Sequence, residues 1–192
     1  MRIMLYGNSY VTELVERTLM HWHEVVGHVP CNHTAFPGRM RSEVVEFPEH
    51  MDYDLALSVF YDRKVKLLDG AYNLHPGLLP RWGGCNILYH TIVEGATEQG
   101  VTFHRMTEDF DAGPIVTTAT YPVRKGDCIL SLYTRVCAIM PGVALAGLEL
   151  AKRGLEAPAQ KPTYYPRSLK MAKPKLYTQA REDITAWIRS QR

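Results

Sequence analysis

Two rhythms of apolar positions run through this chain. Short apolar runs of strand type occupy residues 2–6, 24–29, 54–60 and 71–75, and alternating runs occupy 100–106 and 114–123. Helical spacing appears at Val11, Leu14, Val15, Thr18 and Leu19, and again at Ile87, Leu88, His90, Thr91 and Ile92. A third helical stripe begins at Ile129, Leu132, Val136 and Ile139, is kinked or interrupted at Pro141-Gly142, and resumes through Leu145, Leu148 and Leu150. Gly7-Asn8-Ser9 closes the first strand, while Gly95 and Gly154 stop helices. Two prolines and a glycine make 30–42 a loop; 43–47 suit a short edge strand and 62–68 a short amphipathic turn. Strand, helix, strand, strand with crossovers describes an α/β fold of Rossmann-like type, with a mostly parallel sheet, helices on both faces and ligands beyond the carboxyl ends of the strands. Residues 100–123 add a hairpin.

The pattern divides the chain into a domain over residues 1–153 and a tail over 154–192. In the tail's last segment Ile184, Trp187 and Ile188 share a face, which must dock on the domain or on a second subunit, as in a homodimer. No run approaches the about twenty apolar residues of a membrane span, and the first residues read as a strand rather than a secretory signal, so a cytoplasmic enzyme is expected.

Net charge is only +2, but residues 152–192 are strongly basic. Such a tail is either a solvated surface or a place where an anionic ligand is met. Cys31, Cys85, Cys128 and Cys137 have neither zinc nor disulfide-framework spacing and read as reduced, mostly buried thiols. His21, His23 and His28 have no acidic or thiol partner at metal-ligand spacing, so they read as surface histidines, and no metal is expected.

The chemistry concentrates in residues 72–82. Asn73 and His75 stand two apart in an apolar strand, so both point to one face at its carboxyl end, and Pro76 stops further pairing. An amide and an imidazole aimed at one point can stabilise an oxyanion if a carboxylate sets the imidazole's protonation. Residues 107–114 supply the candidate, Asp111, beside the small residues Ala112 and Gly113. Asp111 reads equally as a turn residue. The Gly7-Asn8-Ser9 turn can hold a phosphate or carboxylate on its N–H groups, or merely turn the chain and cap a helix.

Taken together, three stretches resemble the formyltransferase family that uses 10-formyltetrahydrofolate. Asn73-Leu-His75-Pro-Gly-Leu-Leu-Pro80 is similar to its Asn-x-His-x-Ser-x-Leu-Pro, Gly100-Val-Thr-Phe-His104 to its Gly-Val-Thr-x-His, and Asp111-Ala-Gly-Pro-Ile115 to its Asp-x-Gly-x-Ile. The resemblance covers about residues 1–153. It implies that Asn73, His75 and Asp111 are catalytic, with a protonated His75 and the Asn73 amide holding the oxyanion while Asp111 favours the imidazolium and takes the amine's proton. It further implies folate contacts at Phe60, Tyr61, Leu78 and Thr107, Glu108, Asp109 and Phe110. Amine-substrate contacts are implied at Gly7, Asn8, Ser9, Gly77 and Trp82, and supporting roles for His104 and Gly113.

Gly77 departs from the family's serine, and Asp62-Arg63-Lys64 puts charge where the family is apolar. The expected reaction is N-formylation of a small-molecule amine, most of all a nucleotide-linked amino sugar. An amino acid, a hydroxylated amine or glycinamide ribonucleotide is the alternative, and a formyltetrahydrofolate hydrolase is the alternative of another class. No nucleic acid or membrane partner is expected.

Overall fold

Alternation along each strand decides which face its side chains enter, and here it builds two apolar layers on one sheet. The computed structural model describes residues 1–31, 36–46, 48–61, 63, 65 and 70–192. The strands are β1 (Arg2–Tyr6), β2 (Glu24–Val29), β3 (Leu55–Val59), β4 (Ala71–His75), β5 (Gly83–Gly84), β6 (Glu98–Arg105), β7 (Ile115–Pro122) and β8 (Tyr164–Tyr165). The helices are α1 (Tyr10–Leu19), α2 (Ile87–Val93), α3 (Ile129–Lys152) and α4 (Pro174–Ser190).

Six strands form one sheet in the order β2-β1-β3-β4-β6-β7, and β5 pairs with β8 in a small separate ladder. The first three pairings are parallel, whereas β4–β6 and β6–β7 are antiparallel. The fold is thus the α/β, Rossmann-like arrangement, with a mixed sheet in which the hairpin lies beside β4. β3 is buried along its whole length, as suits a central parallel strand. Residues 43–46 form no strand: Val44 makes only an isolated bridge to His28, and Phe47 lies outside the described residues, as does most of the turn expected over 62–68.

Ile3, Leu5, Leu57 and Leu74 enter the larger cluster, together with buried side chains from α1, α2, α3 and α4. Met4, Tyr6, Ala56 and Ala71 enter the smaller one, where the described partners come from strands and connecting segments. α1, α2, α3 and α4 thus all contribute to the larger cluster. α3 continues through Pro141. A proline there costs about 3 kcal/mol, and burial outweighs it: Leu132, Val136, Met140 and Leu148 have no exposed surface, each worth about 1.5–3 kcal/mol.

Contrary to the sequence expectation, α3 is long and apolar enough to cross a membrane by length and composition, and here it packs on α1, β6 and β7. His28 is buried rather than on the surface, with Nδ1 3.1 Å from Ser42 Oγ. Of the four cysteines, Cys31 and Cys137 are buried, while Cys85 is intermediate and Cys128 exposed. Ala180, Ile184 and Ile188 of α4 are buried in the larger cluster, so the helix docks on the same core as α1 and α3.

Candidate active site

The β4–β6 register sets Asn73 opposite His104 and His75 opposite Thr102. Because Leu74 turns into the larger core, Asn73 and His75 lie on the other side of β4, where the β6–β7 connection delivers Asp111. Asn73 Nδ2 lies 3.2 Å from His104 Nε2 and donates to Asp111 Oδ1 at 3.3 Å. The same Oδ1 is 3.5 Å from His75 Nδ1 and 3.5 Å from His104 Nε2. Asp111 Oδ2 accepts from the Gly84 N–H at 2.7 Å. Asp111 itself sits in the left-handed region, at φ 54°, which an aspartate tolerates better than most residues.

Backbone carbonyls fix both rings. His75 Nε2 donates to Trp82 O at 2.6 Å, which leaves Nδ1 facing Asp111. His104 Nδ1 donates to Arg105 O at 2.9 Å, and its Nε2 stands between the Asn73 amide at 3.2 Å and Asp111 Oδ1 at 3.5 Å. The turn after β4 is pinned by the Thr102 hydroxyl, which donates to Gly77 O at 2.7 Å and accepts from Leu79 N at 3.1 Å, and by Gln99 Oε1, which accepts from Leu78 N at 2.7 Å.

Burial lowers the pKa of His75, and the Asp111 charge only partly offsets it. The resting ring is therefore neutral, where the resemblance implies a protonated one. Burial also disfavours the Asp111 carboxylate, but the neighbouring His75, a hydrogen bond with His104 and the Gly84 N–H outweigh it and hold the carboxyl at about 2. Asp111 is ionised throughout the physiological range.

These four side chains line a cavity of about 1130 Å³, and so do Phe60, Tyr61, Thr107, Glu108, Asp109 and Phe110. Other expected residues stand elsewhere. Gly77 is buried beneath the ring of His75 and does not line the cavity; a Cβ there would lie 2.3 Å from Trp82 O and 2.6 Å from His75 Nε2. Its missing side chain admits a carbonyl, not an amine. The Trp82 side chain is core, 1% exposed and stacked on Tyr165 at 5.6 Å. Leu78 also lies off the cavity, engaged through its N–H with Gln99.

Gly7 and Asn8 do not line the cavity either, and the Asn8 side chain accepts from Cys31 N at 3.2 Å. Ser9 does reach the wall, though its hydroxyl caps α1 by accepting from Thr12 N at 3.1 Å. Gly113 lies off the cavity, where a Cβ would come 1.9 Å from Arg105 O. Among the described residues, no group of three or more His, Cys, Asp or Glu is placed to hold a metal ion.

Sequence reasoning missed one wall altogether. Tyr164, Pro166, Arg167, Tyr177, Arg181 and Ile184 face the cavity from the C-terminal segment, whose basic and Tyr/Pro-rich composition was the only hint of a ligand. It also missed Gly84, which acts through its backbone N–H.

Comparison with known proteins gives these residues a context. A GDP-perosamine N-formyltransferase of Brucella melitensis is 37% identical over 102 residues, a match that takes in 50% of this chain and 39% of that relative. The chain thus spans well under half the length of this curated relative. WlaRD, a sugar 3N-formyl transferase solved in the presence of dTDP and 5-N-formyl-THF, aligns with a TM-score of 0.74 at 15% identity, covering 96% of this chain and 79% of its own. The N-formyltransferase from Helicobacter canadensis, in complex with folinic acid and dTDP-3-aminofucose, aligns with a TM-score of 0.71 at 17% identity, covering 95% of this chain and 80% of its own. At such identities the structural likeness is one of fold. Residues 58–142, the span that carries Asn73, His75, His104 and Asp111, match the family model described as formyl transferase.

Proposed function

We propose that this chain transfers a formyl group from 10-formyltetrahydrofolate to the primary amine of a nucleotide-linked amino sugar. The observation that carries the reading is the convergence of Asn73, His75 and His104 on one carboxylate oxygen of Asp111, at 3.3 to 3.5 Å, on the wall of a cavity large enough for two ligands. The Brucella relative and the two aligned structures, named for sugar N-formylation, support the substrate class.

In this mechanism the amine attacks the formyl carbon and the carbonyl electrons move onto oxygen. The Asn73 amide meets that oxyanion, giving up one of its two long hydrogen bonds, to His104 at 3.2 Å or to Asp111 at 3.3 Å. A donor of this type is worth about 3–4 kcal/mol. A carboxyl held near 2 is a poor proton acceptor at neutral pH, whereas neutral His75 is a good one. His75 Nδ1 therefore takes the proton that the amine loses, and Asp111 stabilises the imidazolium formed. The proton then passes to the folate nitrogen as the carbon–nitrogen bond to it breaks. Phe60, Tyr61 and the backbone of residues 107–110 hold the pteridine.

The test is turnover of 10-formyltetrahydrofolate with a panel of amines: nucleotide-linked amino sugars, amino acids, hydroxylated amines and glycinamide ribonucleotide. Formylated sugar with little turnover in the absence of amine is the expected result. Rapid release of formate without any amine would replace the transferase reading with the hydrolase one.

A further inference from the structure

Residues 157–165 lie outside the span that matches the family model, yet they tie the two halves of the candidate site together. At one end Ala157 N donates to Ile115 O at 2.7 Å, and Gln160 N donates to Ala112 O at 3.0 Å. At the other, Thr163 N donates to Pro80 O at 2.8 Å, Gly83 N to Thr163 O at 3.0 Å and Cys85 N to Tyr165 O at 2.7 Å. The strap therefore joins the segment carrying Asp111 to the segment carrying Trp82 O, which fixes His75, and Gly84 N, which fixes Asp111.

The Gln160 side chain makes the most telling contact. Its Nε2 donates to the Asp111 carbonyl and lies 3.5 Å from Gly113 O. Its Oε1 is buried with no hydrogen-bond partner among the described residues. Rotating the amide would set Oε1 against two carbonyl oxygens, so the donor orientation is the one the site allows. A buried acceptor left unpaired is costly. What the amide does in exchange is hold the carbonyl of Asp111, whose backbone is left-handed at φ 54°.

We infer that Gln160 is a positioning residue for formyl transfer: by holding the Asp111 carbonyl it locks the turn that aims the Asp111 carboxylate at Asn73, His75 and His104. The inference rests on the reading of Asp111 as part of a formyl-transfer site, and two independent readouts keep the two claims apart. One is turnover. The other is the 13C titration of the Asp111 carboxyl in the full chain, which reports the turn whether or not the protein turns over.

In Gln160→Ala, kcat is expected to fall about 10- to 100-fold with KM for the folate nearly unchanged. The Asp111 midpoint should rise by a unit or more from about 2, because the Gly84 N–H and the two imidazoles no longer meet the carboxylate squarely. Gln160→Glu adds a signature that loss of packing would not give. Above its titration range the new carboxylate faces carbonyl oxygens, and activity should be no higher than in the alanine variant. As pH falls through its titration range, which burial and the facing carbonyls place above the about 4.3 of a free glutamate, its O–H can donate to Asp111 O, and activity relative to the alanine variant should recover. Circular dichroism identifies a variant that fails to fold, in which case the glutamate titration decides. A wild-type Asp111 midpoint in both variants overturns the inference. A shifted midpoint in a protein that formylates none of the amines leaves the turn lock standing and sinks the functional reading instead.

Discussion

The Nε2 of His75 donates to the carbonyl oxygen of Trp82 across 2.6 Å, and that contact exists because residue 77 has no side chain. A methyl group at position 77 would overlap both atoms, so Gly77→Ala must break the bond or displace the turn. Burying the freed Trp82 carbonyl without a partner costs about 1–3 kcal/mol. We therefore expect an unfolding free energy in urea lowered by that amount and a kcat lowered about 100-fold, with folate affinity retained because Gly77 does not line the cavity. Gly77→Ala with wild-type stability and turnover would show that the His75–Trp82 bond does nothing.

Asp111→Asn keeps the shape of the side chain and removes its charge. Without a carboxylate to stabilise the imidazolium, kcat should fall about 100- to 10,000-fold, while binding of the folate, measured by fluorescence quenching, stays within a few-fold. Stability gives a second check. A folded pKa depressed from 3.8 to about 2 means that the charge stabilises the fold fully above pH 4. That contribution, about 2 kcal/mol, is lost as pH falls from about 4 to about 2. Between those limits the asparagine variant should show a flatter stability profile than the wild type.

Side chains with chemistry at regular spacing were legible in the sequence; backbone groups were not. Asn73 and His75 show themselves because strand alternation puts residues two apart on one face, and Asp111 because its connection follows a strand that alternates up to His104. The partners that orient them are the Trp82 and Arg105 carbonyls, the Gly84 N–H and an amide in the tail. A carbonyl or an N–H is present at every position, so no residue type announces it. The neutrality of His75 was equally hidden, since it arises from burial by segments far apart in the chain. Position 77 was hidden for a related reason: the sequence shows a glycine in place of serine, and only the fold shows the Trp82 carbonyl that stands where a side chain would be.

The pH dependence of turnover tests the protonation assigned to His75. Its folded pKa lies below the ordinary 6.5, so the neutral base is fully present above that value and is lost as pH falls below it. The expected profile of kcat/KM is level from about pH 6.5 upward into the mildly alkaline range, with an acid limb whose midpoint lies under 6.5. The same direction holds for stability: the unfolded ring binds a proton more readily, so His75 favours the folded state above 6.5 and opposes it on acidification. Activity that instead falls as pH rises, through a limb that disappears in His75→Asn, would mean that the ring works as an imidazolium, and the proton-acceptor role would fall.

The C-terminal helix offers a final test, because Ile184 belongs at once to the larger core and to the cavity wall. The side chain is 3% exposed, so truncating it removes buried methyl and methylene groups that neighbouring residues cannot replace. Ile184→Ala should cost about 2–5 kcal/mol in urea unfolding, the range for a large-to-alanine change in a packed interior. Trp187, one turn-face away, packs edge-on against Tyr10 at 5.8 Å and Tyr133 at 6.1 Å, so the same loss should loosen contacts that reach α1 and α3. If α4 were an appended surface helix, the substitution would change stability by less than about 0.5 kcal/mol and leave the apparent KM for the amine untouched. An integral helix predicts the large stability loss and a raised KM together, because the residue that anchors α4 also shapes the wall on which Tyr177 and Arg181 stand.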